Sequence, residues 1–144
     1  MFLLDTNVLS DSTKLLPDPA VTEWLETQPL TTLFISVVSL AEANYGIERL
    51  APGRKADGLR QWLGSVIVEF GERLLPIDAE IAMAQARIRR AADNAHRTMP
   101  AIDAFIAATA EIHDLTLVTR NVRDFTAWGG PLLDPWTRSA ANPQ

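Results

Sequence analysis

An α/β sandwich built on a short, mostly parallel sheet of four to five strands is the fold class that this sequence predicts. Three observations carry the expectation. Short apolar runs recur at residues 2–4, 33–38 and 115–119, the signature of strands buried on both faces. Between them lie stretches of helical periodicity long enough to cross over from one parallel strand to the next. The chain has 144 residues, 47% hydrophobic and 22% charged, the balance of one globular domain large enough to bury a core.

Each element has a local reason. Phe2-Leu3-Leu4 is a buried parallel strand that ends at Asp5. Asp5-Thr6-Asn7 offers three N-caps for a short helix beginning at Val8-Leu9. Asp18-Pro19 opens a second helix, with Val21, Trp24 and Leu25 on one face and Pro29 beyond its end. Residues 33–38 form the second strand. Ser39-Leu40-Ala41-Glu42 follows as a capping box, opening a helix that runs to about Leu50 and stops at Pro52-Gly53. Leu59, Trp62, Leu63, Val66 and Phe70 recur at helical spacing. Leu74-Leu75-Pro76-Ile77 is a poor strand, because Pro76 belongs on an edge. Asp78 caps a long helix through about Ala92, with Ile81, Ala84, Ile88 and Ala92 as its inner stripe. Pro100 suits the first position of the next helix, which puts Asp103 in the first turn. Residues 115–119 form a further strand, 120–124 a turn, and Leu132-Leu133 a last short strand after the break at Gly129-Gly130-Pro131. Residues 1–136 form a single domain in this reading, with 137–144 a frayed tail.

Composition narrows the function. The net charge is −5, which argues against a passive nucleic-acid binder but not against an enzyme that meets phosphates through cations. Cysteine is absent, so a disulfide framework and thiolate metal sites are excluded. The N-terminus lacks the basic start of a signal peptide, and no apolar run is long enough to span a membrane. A cytoplasmic protein without membrane partners is expected.

The chemistry lies in the acids. Ligands of open parallel sheets gather beyond the carboxyl ends of the strands. Asp5 closes the first strand, and Glu42 lies a helical turn beyond the second. Asn121 and Asp124 follow the strand that ends at Thr119. The Asp103 helix runs antiparallel to the strand it feeds, which returns its N-terminus to the same edge. Asp103 is the one charged residue between Arg97 and Glu111, in a segment apolar or small on every side. Taken singly, Asp5 could be a helix cap, Glu42 the far half of a capping box, Asp103 a complement to the helix dipole, and Asn121 or Asp124 a turn cap. Those roles do not require all of them at one edge. Clustered like charges repel, and a hard divalent cation relieves them; oxygen-only ligands point to Mg²⁺ or Mn²⁺. Such a cluster suits phosphoryl chemistry.

Four stretches then carry a family resemblance. Leu3-Leu4-Asp5-Thr6-Asn7-Val8-Leu9, Ser39-x-x-Glu42-x-x-x-Gly46, Ala101-Ile102-Asp103-Ala104-x-Ile106-Ala107-Ala108 and Leu117-Val118-Thr119-Arg120-Asn121-x-x-Asp124-Phe125 together resemble the PIN-domain ribonucleases. Within them the chain is most similar to the VapC toxins of type II toxin–antitoxin systems, in the FitB-like branch. The resemblance implies a PIN-like α/β/α sandwich and a Mg²⁺-dependent endoribonuclease, with Mn²⁺ as a substitute. It implies Asp5, Glu42, Asp103 and Asp124 as catalytic metal ligands. Thr6, Thr119 and Asn121 would support them, and Arg120 and Arg123 would meet RNA. Arg87, Arg89, Arg90 and Arg97 offer a wider basic track, against the simpler reading of solvated charges on a helix. The implied partners are an RNA substrate, a second copy in a homodimer, and a cognate VapB-like antitoxin in a larger toxin–antitoxin assembly. Such an antitoxin lays a helix into a groove, expected here among the first helices and the Glu42 helix.

Two other classes compete. A catalytically inert binding module would keep the fold without the activity. An aspartyl-phosphate phosphatase or receiver would use Asp5 as nucleophile. The phosphatase needs a second Asp where Asn7 stands, and both need a lysine after a late strand, whereas Lys14 and Lys55, the two lysines in the chain, stand elsewhere.

Overall fold

The computed structural model describes residues 1–137. The described residues form a five-stranded sheet in the order β3-β2-β1-β4-β5, parallel at every pairing. The strands are β1 (Phe2–Leu4), β2 (Leu33–Ser36), β3 (Leu74–Leu75), β4 (Thr116–Val118) and β5 (Leu132–Leu133). β1 is central: Leu3 stands in register with Phe34 of β2 on one side and Leu117 of β4 on the other.

The helices are α1 (Thr6–Asp11), α2 (Pro19–Thr27), α3 (Val37–Glu48), α4 (Arg54–Phe70), α5 (Ala79–Asn94), α6 (Ala101–Ile112) and the short α7 (Val122–Phe125). Alternation along the strands divides the core into two layers. Leu3 and Leu117 point into one layer with Ile81, Ala84 and Ile88 of α5 and Ala104, Ala107 and Ala108 of α6. Leu4 and Val118 point into the other with Val8, Val21, Trp24, Val66 and Phe70. There the rings of Phe2 and Trp24 meet edge to face, 5.0 Å between centroids. The result is the expected α/β/α sandwich. None of the helices among the described residues is long and apolar enough to cross a membrane.

Several boundaries differ from the sequence reading: α1 begins at Thr6 rather than Val8, β4 covers Thr116–Val118 rather than 115–119, and α7 takes up most of the turn expected over 120–124; the start of α3 matters most for the site. β2 ends at Ser36, not at residue 38. The Ser36 hydroxyl accepts from the Val38 N–H at 3.0 Å and caps α3. Ser39 is therefore inside the helix rather than at its cap, and no capping box forms. Two hydroxyls stand three residues apart, and the earlier one takes the cap: Ser36 holds the Val38 N–H, while Ser39 is buried with its hydroxyl unpaired among the described residues. Pro100 occupies the cap position rather than the first helical one, which still leaves Asp103 in the first turn of α6. β3 stops before Pro76 and lies at the sheet edge, as a strand bounded by proline should. The tail expected over 137–144 lies outside the described residues except for Thr137, whose hydroxyl donates to the Asp134 carbonyl at 3.1 Å.

Candidate active site at the carboxyl edge of the sheet

The strand order fixes where a site can form. From β1 the chain passes to β2 on one side; from β4 it passes to β5 on the other. The loops after β1 and β4 diverge, which opens a crevice between them. Asp5 leaves β1 at this point, and its N–H donates to the Val118 carbonyl at 2.9 Å. Thr119 leaves β4 beside it.

Asp5 is buried and fully engaged. One carboxylate oxygen, Oδ1, accepts from the Thr6 N–H at 2.8 Å. Oδ2 accepts from the Thr119 hydroxyl at 2.8 Å and from Asn7 Nδ2 at 3.3 Å. Asp5 does cap α1, so both of its readings hold at once. Burial raises its pKa above the usual carboxylate range; the Thr119 and Thr6 hydrogen bonds oppose that rise, and the Asp124 charge adds to it. Thr119 also accepts from the Asn121 N–H at 3.0 Å, which links the turn after β4 to the Asp5 carboxylate.

Glu42 sits in the second turn of α3, too far from the cap to serve it. Its Oε1 accepts from the Thr6 hydroxyl at 2.7 Å, across thirty-six positions of sequence. Thr6 thus ties Asp5 through its backbone and Glu42 through its side chain. Asp103 is half-buried, and its pKa is pushed up to about 6. Burial is the main cause, followed by the charges of Asp5, Asp124 and Glu42. Three carboxylates from distant stretches thus act on Asp103 at one rim. Asp124 is solvent-exposed in α7. Asn121 precedes that helix without a side-chain capping bond, which leaves its amide free of the cap role.

The donor set is all oxygen and net negative, which suits a hard divalent cation. Among the described residues no three His, Cys, Asp or Glu side chains are already set to ligate one ion. The acids share an electrostatic field, and holding an ion requires them to turn in toward it.

The basic residues divide. Arg120 lies at the same edge, its guanidinium over the Trp136 ring at 5.3 Å, and its N–H faces Asn7 Oδ1 at 3.4 Å. Arg123 is on α7, next to Asp124. Arg87 is held by Glu111 on α6, so it is not part of an open track, whereas Arg97 is bound to Thr126. Lys14 pairs with Asp11 at 3.4 Å and cannot serve an aspartyl phosphate at Asp5. Sequence reasoning missed the Asn7 contact, the Trp136 support under Arg120, and Ser36. For Asn7 the signal was present, two residues beyond the acid; for Trp136 no spacing rule reaches across from β5 to β4.

The PIN domain family model matches residues 2–128. Toxin FitB of Neisseria gonorrhoeae is 36% identical over 94% of this chain and 99% of its own. VapC ribonuclease Y4jK of Sinorhizobium fredii is 32% identical over 94% and 98%. Among solved structures, the crystal structure of FitAcB from Neisseria gonorrhoeae superposes with a TM-score of 0.90 at 36% identity, covering 94% of this chain and 99% of that one. A toxin–antitoxin complex from Klebsiella pneumoniae gives 0.71 at 26% identity, over 94% and 98%. A family match across nearly the whole fold, with relatives aligned end to end, leaves one assignment: the chain belongs to the PIN-domain family.

Proposed function

We propose that this PIN-domain chain is a metal-dependent endoribonuclease that acts as the toxin of a VapBC-type toxin–antitoxin pair. One observation carries the chemistry. Acids from four separate stretches meet at the switch point of the sheet: Asp103, raised to about 6 chiefly by its burial, is pushed further in that direction by the charges of Asp5, Asp124 and Glu42. A protein gains nothing in stability from such repulsion, so a function that recruits a cation accounts for it. The names of the full-length relatives, a toxin and a ribonuclease, support the same reading.

Asp5, Glu42, Asp103 and Asp124 would hold Mg²⁺, with Mn²⁺ as a substitute. Bound there, the ion supplies a polarised phosphate oxygen and a water of lowered pKa. Thr119 and the Thr6 N–H keep the Asp5 carboxylate fixed, and the Thr6 hydroxyl keeps Glu42 turned to the rim. The exposed Asn121 amide can orient water or the ion. Arg120 and Arg123 meet RNA phosphates on either side of the acids. Trp136 holds the Arg120 guanidinium flat, which limits the entropy lost on contact.

For the antitoxin, a mainly apolar groove of about 450 Å³ lies along the helix that carries Glu42. Its walls are α3 and α4, through Leu40, Ala41, Leu63 and Ile67; the sequence reading expected the groove among the first helices and α3. A cytoplasmic homodimer bound by antitoxin completes the reading.

The test is cleavage of a panel of tRNAs and mRNAs with mapped ends. Cleavage is expected with Mg²⁺ and absent with EDTA. Asp5→Asn and Asp103→Asn are expected to stay folded and lose ~100-fold or more in rate. A folded Asp103→Asn protein that cuts at the wild-type rate excludes the assigned role.

A further inference from the structure

A second cavity adjoins the acids on the α6–α7 side. It measures about 650 Å³ and is lined by Arg97, Thr98, Val122, Arg123, Asp124 and Thr126 among others. We propose that this cavity holds the backbone of single-stranded RNA next to the bond that is cut, with Arg97 and Arg123 as its phosphate contacts. The proposal rests on the nuclease reading above and adds a subsite to it.

Arg97 comes from the connection between α5 and α6, Arg123 from α7. A hydroxyl couples them. Arg97 Nη1 donates to Thr126 Oγ1 at 2.9 Å, and the same hydroxyl donates to the Arg123 carbonyl at 2.9 Å. The Arg97 side chain is thus tethered to the turn that carries Arg123, against the entropy that would otherwise let a long exposed side chain wander. Among the described residues, neither guanidinium has a carboxylate within ion-pair distance. Two guanidinia facing one cavity in a chain of net charge −5 select an anion, and the planar fork of arginine matches a phosphodiester.

Asp124 belongs to both regions. It lines the cavity, and its charge acts on Asp5 and Asp103. An anion bound by Arg97 and Arg123 therefore lies one residue from the acid cluster. The volume exceeds that of a lone phosphate and suits a sugar–phosphate unit continuing toward the rim. No aromatic ring lines it, so base stacking is not what it offers. Contacts to the backbone position the strand without reading its sequence.

The experiment uses the full chain with Mg²⁺ and a single-stranded oligonucleotide spanning a site that the wild type cuts in the panel above. Steady-state cleavage is measured over a range of NaCl for the wild type, Arg97→Gln, Arg123→Gln and Arg97→Lys. Each glutamine variant is expected to raise KM roughly 5–10-fold with kcat within about 2-fold. The salt slope should flatten by about 0.7 per phosphate contact removed. Arg97→Lys keeps the charge and should keep the slope. Cleavage positions should not move, because no base is read. Wild-type KM and slope in Arg97→Gln, whatever Arg123→Gln does, overturn the subsite and leave the nuclease standing. If the wild-type chain cuts no RNA of the panel, the nuclease reading falls and the subsite with it.

Discussion

Asp103 carries two burdens at once: a half-buried position and three neighbouring negative charges. Both disfavour its ionised form, which is why its pKa rises to about 6. In the unfolded chain the same carboxyl titrates near 4. A raised carboxyl pKa means that the folded state binds the proton more tightly than the unfolded state does. The penalty is absent below about pH 4, grows between about pH 4 and 6, and is fully present above. In metal-free protein, Asp103→Asn removes it. The variant is expected to be more stable than the wild type at pH 7 by about 1 kcal/mol, after discounting for solvent screening of a partly exposed group. Urea unfolding in EDTA at pH 4.5 and pH 7 checks this. The gap between the two proteins should narrow at the lower pH; a gap independent of pH would mean that the carboxyl carries no such strain. Asp5 is raised in the same direction, again chiefly by burial, but two donors, Thr119 and the Thr6 N–H, oppose the rise.

The start of α3 decides where Glu42 points. Ser36 caps the helix, and Ser39, one turn in, is buried with its hydroxyl unpaired among the described residues. The two serines should answer substitution in opposite ways. Ser36→Ala removes a cap bond and is expected to lower stability by about 1 kcal/mol. Ser39→Ala removes a buried, unsatisfied hydroxyl and is expected to be neutral or to add up to about 1 kcal/mol. Thermal unfolding of both variants separates this arrangement from a capping box at Ser39, which predicts the reverse order. The same segment marks how far the sequence could be read. Strand and helix identities followed from periodicity, and the edge position of β3 followed from Pro76. The cap did not, because two Ser residues met the same local rule, and only the fold shows that Ser36 and not Ser39 holds the free N–H of the first turn. The acids were legible through topology: Asp5, Asp103 and Asp124 stand at or near element ends that parallel crossovers bring to one edge, and Glu42 lies one turn into α3 at the same edge. Their partners were less so. Thr6 donating to Glu42 spans two helices, and Arg97 meeting Thr126 joins the α5–α6 connection to the end of α7. Such contacts depend on how far apart packed elements lie, which no local pattern encodes.

At the scale of the molecule, a sheet that reverses its winding between β1 and β4 creates a crevice and fills it with like charge. The fold tolerates this because two apolar layers, one on each side of β1, hold the strands in register whatever the rim does. On the proposed reading, stability and ion binding are linked through the same side chains. A cation that binds the folded chain and not the unfolded one adds RT ln(1 + [L]/Kd), about 1.4 kcal/mol at ten times Kd. For a chain of this length that is a rise in Tm of about 4 °C. Protons compete for the same oxygens, above all at Asp103. The Mg²⁺-induced rise in Tm is thus expected to be larger at pH 7.5 than at pH 5.5, and smaller in Asp103→Asn than in the wild type at either pH. Thermal melts across a Mg²⁺ titration at the two pH values measure both effects without any RNA. If Mg²⁺ shifts Tm equally in wild type and Asp103→Asn, the ion binds elsewhere, and the convergence of charges at this rim needs another explanation.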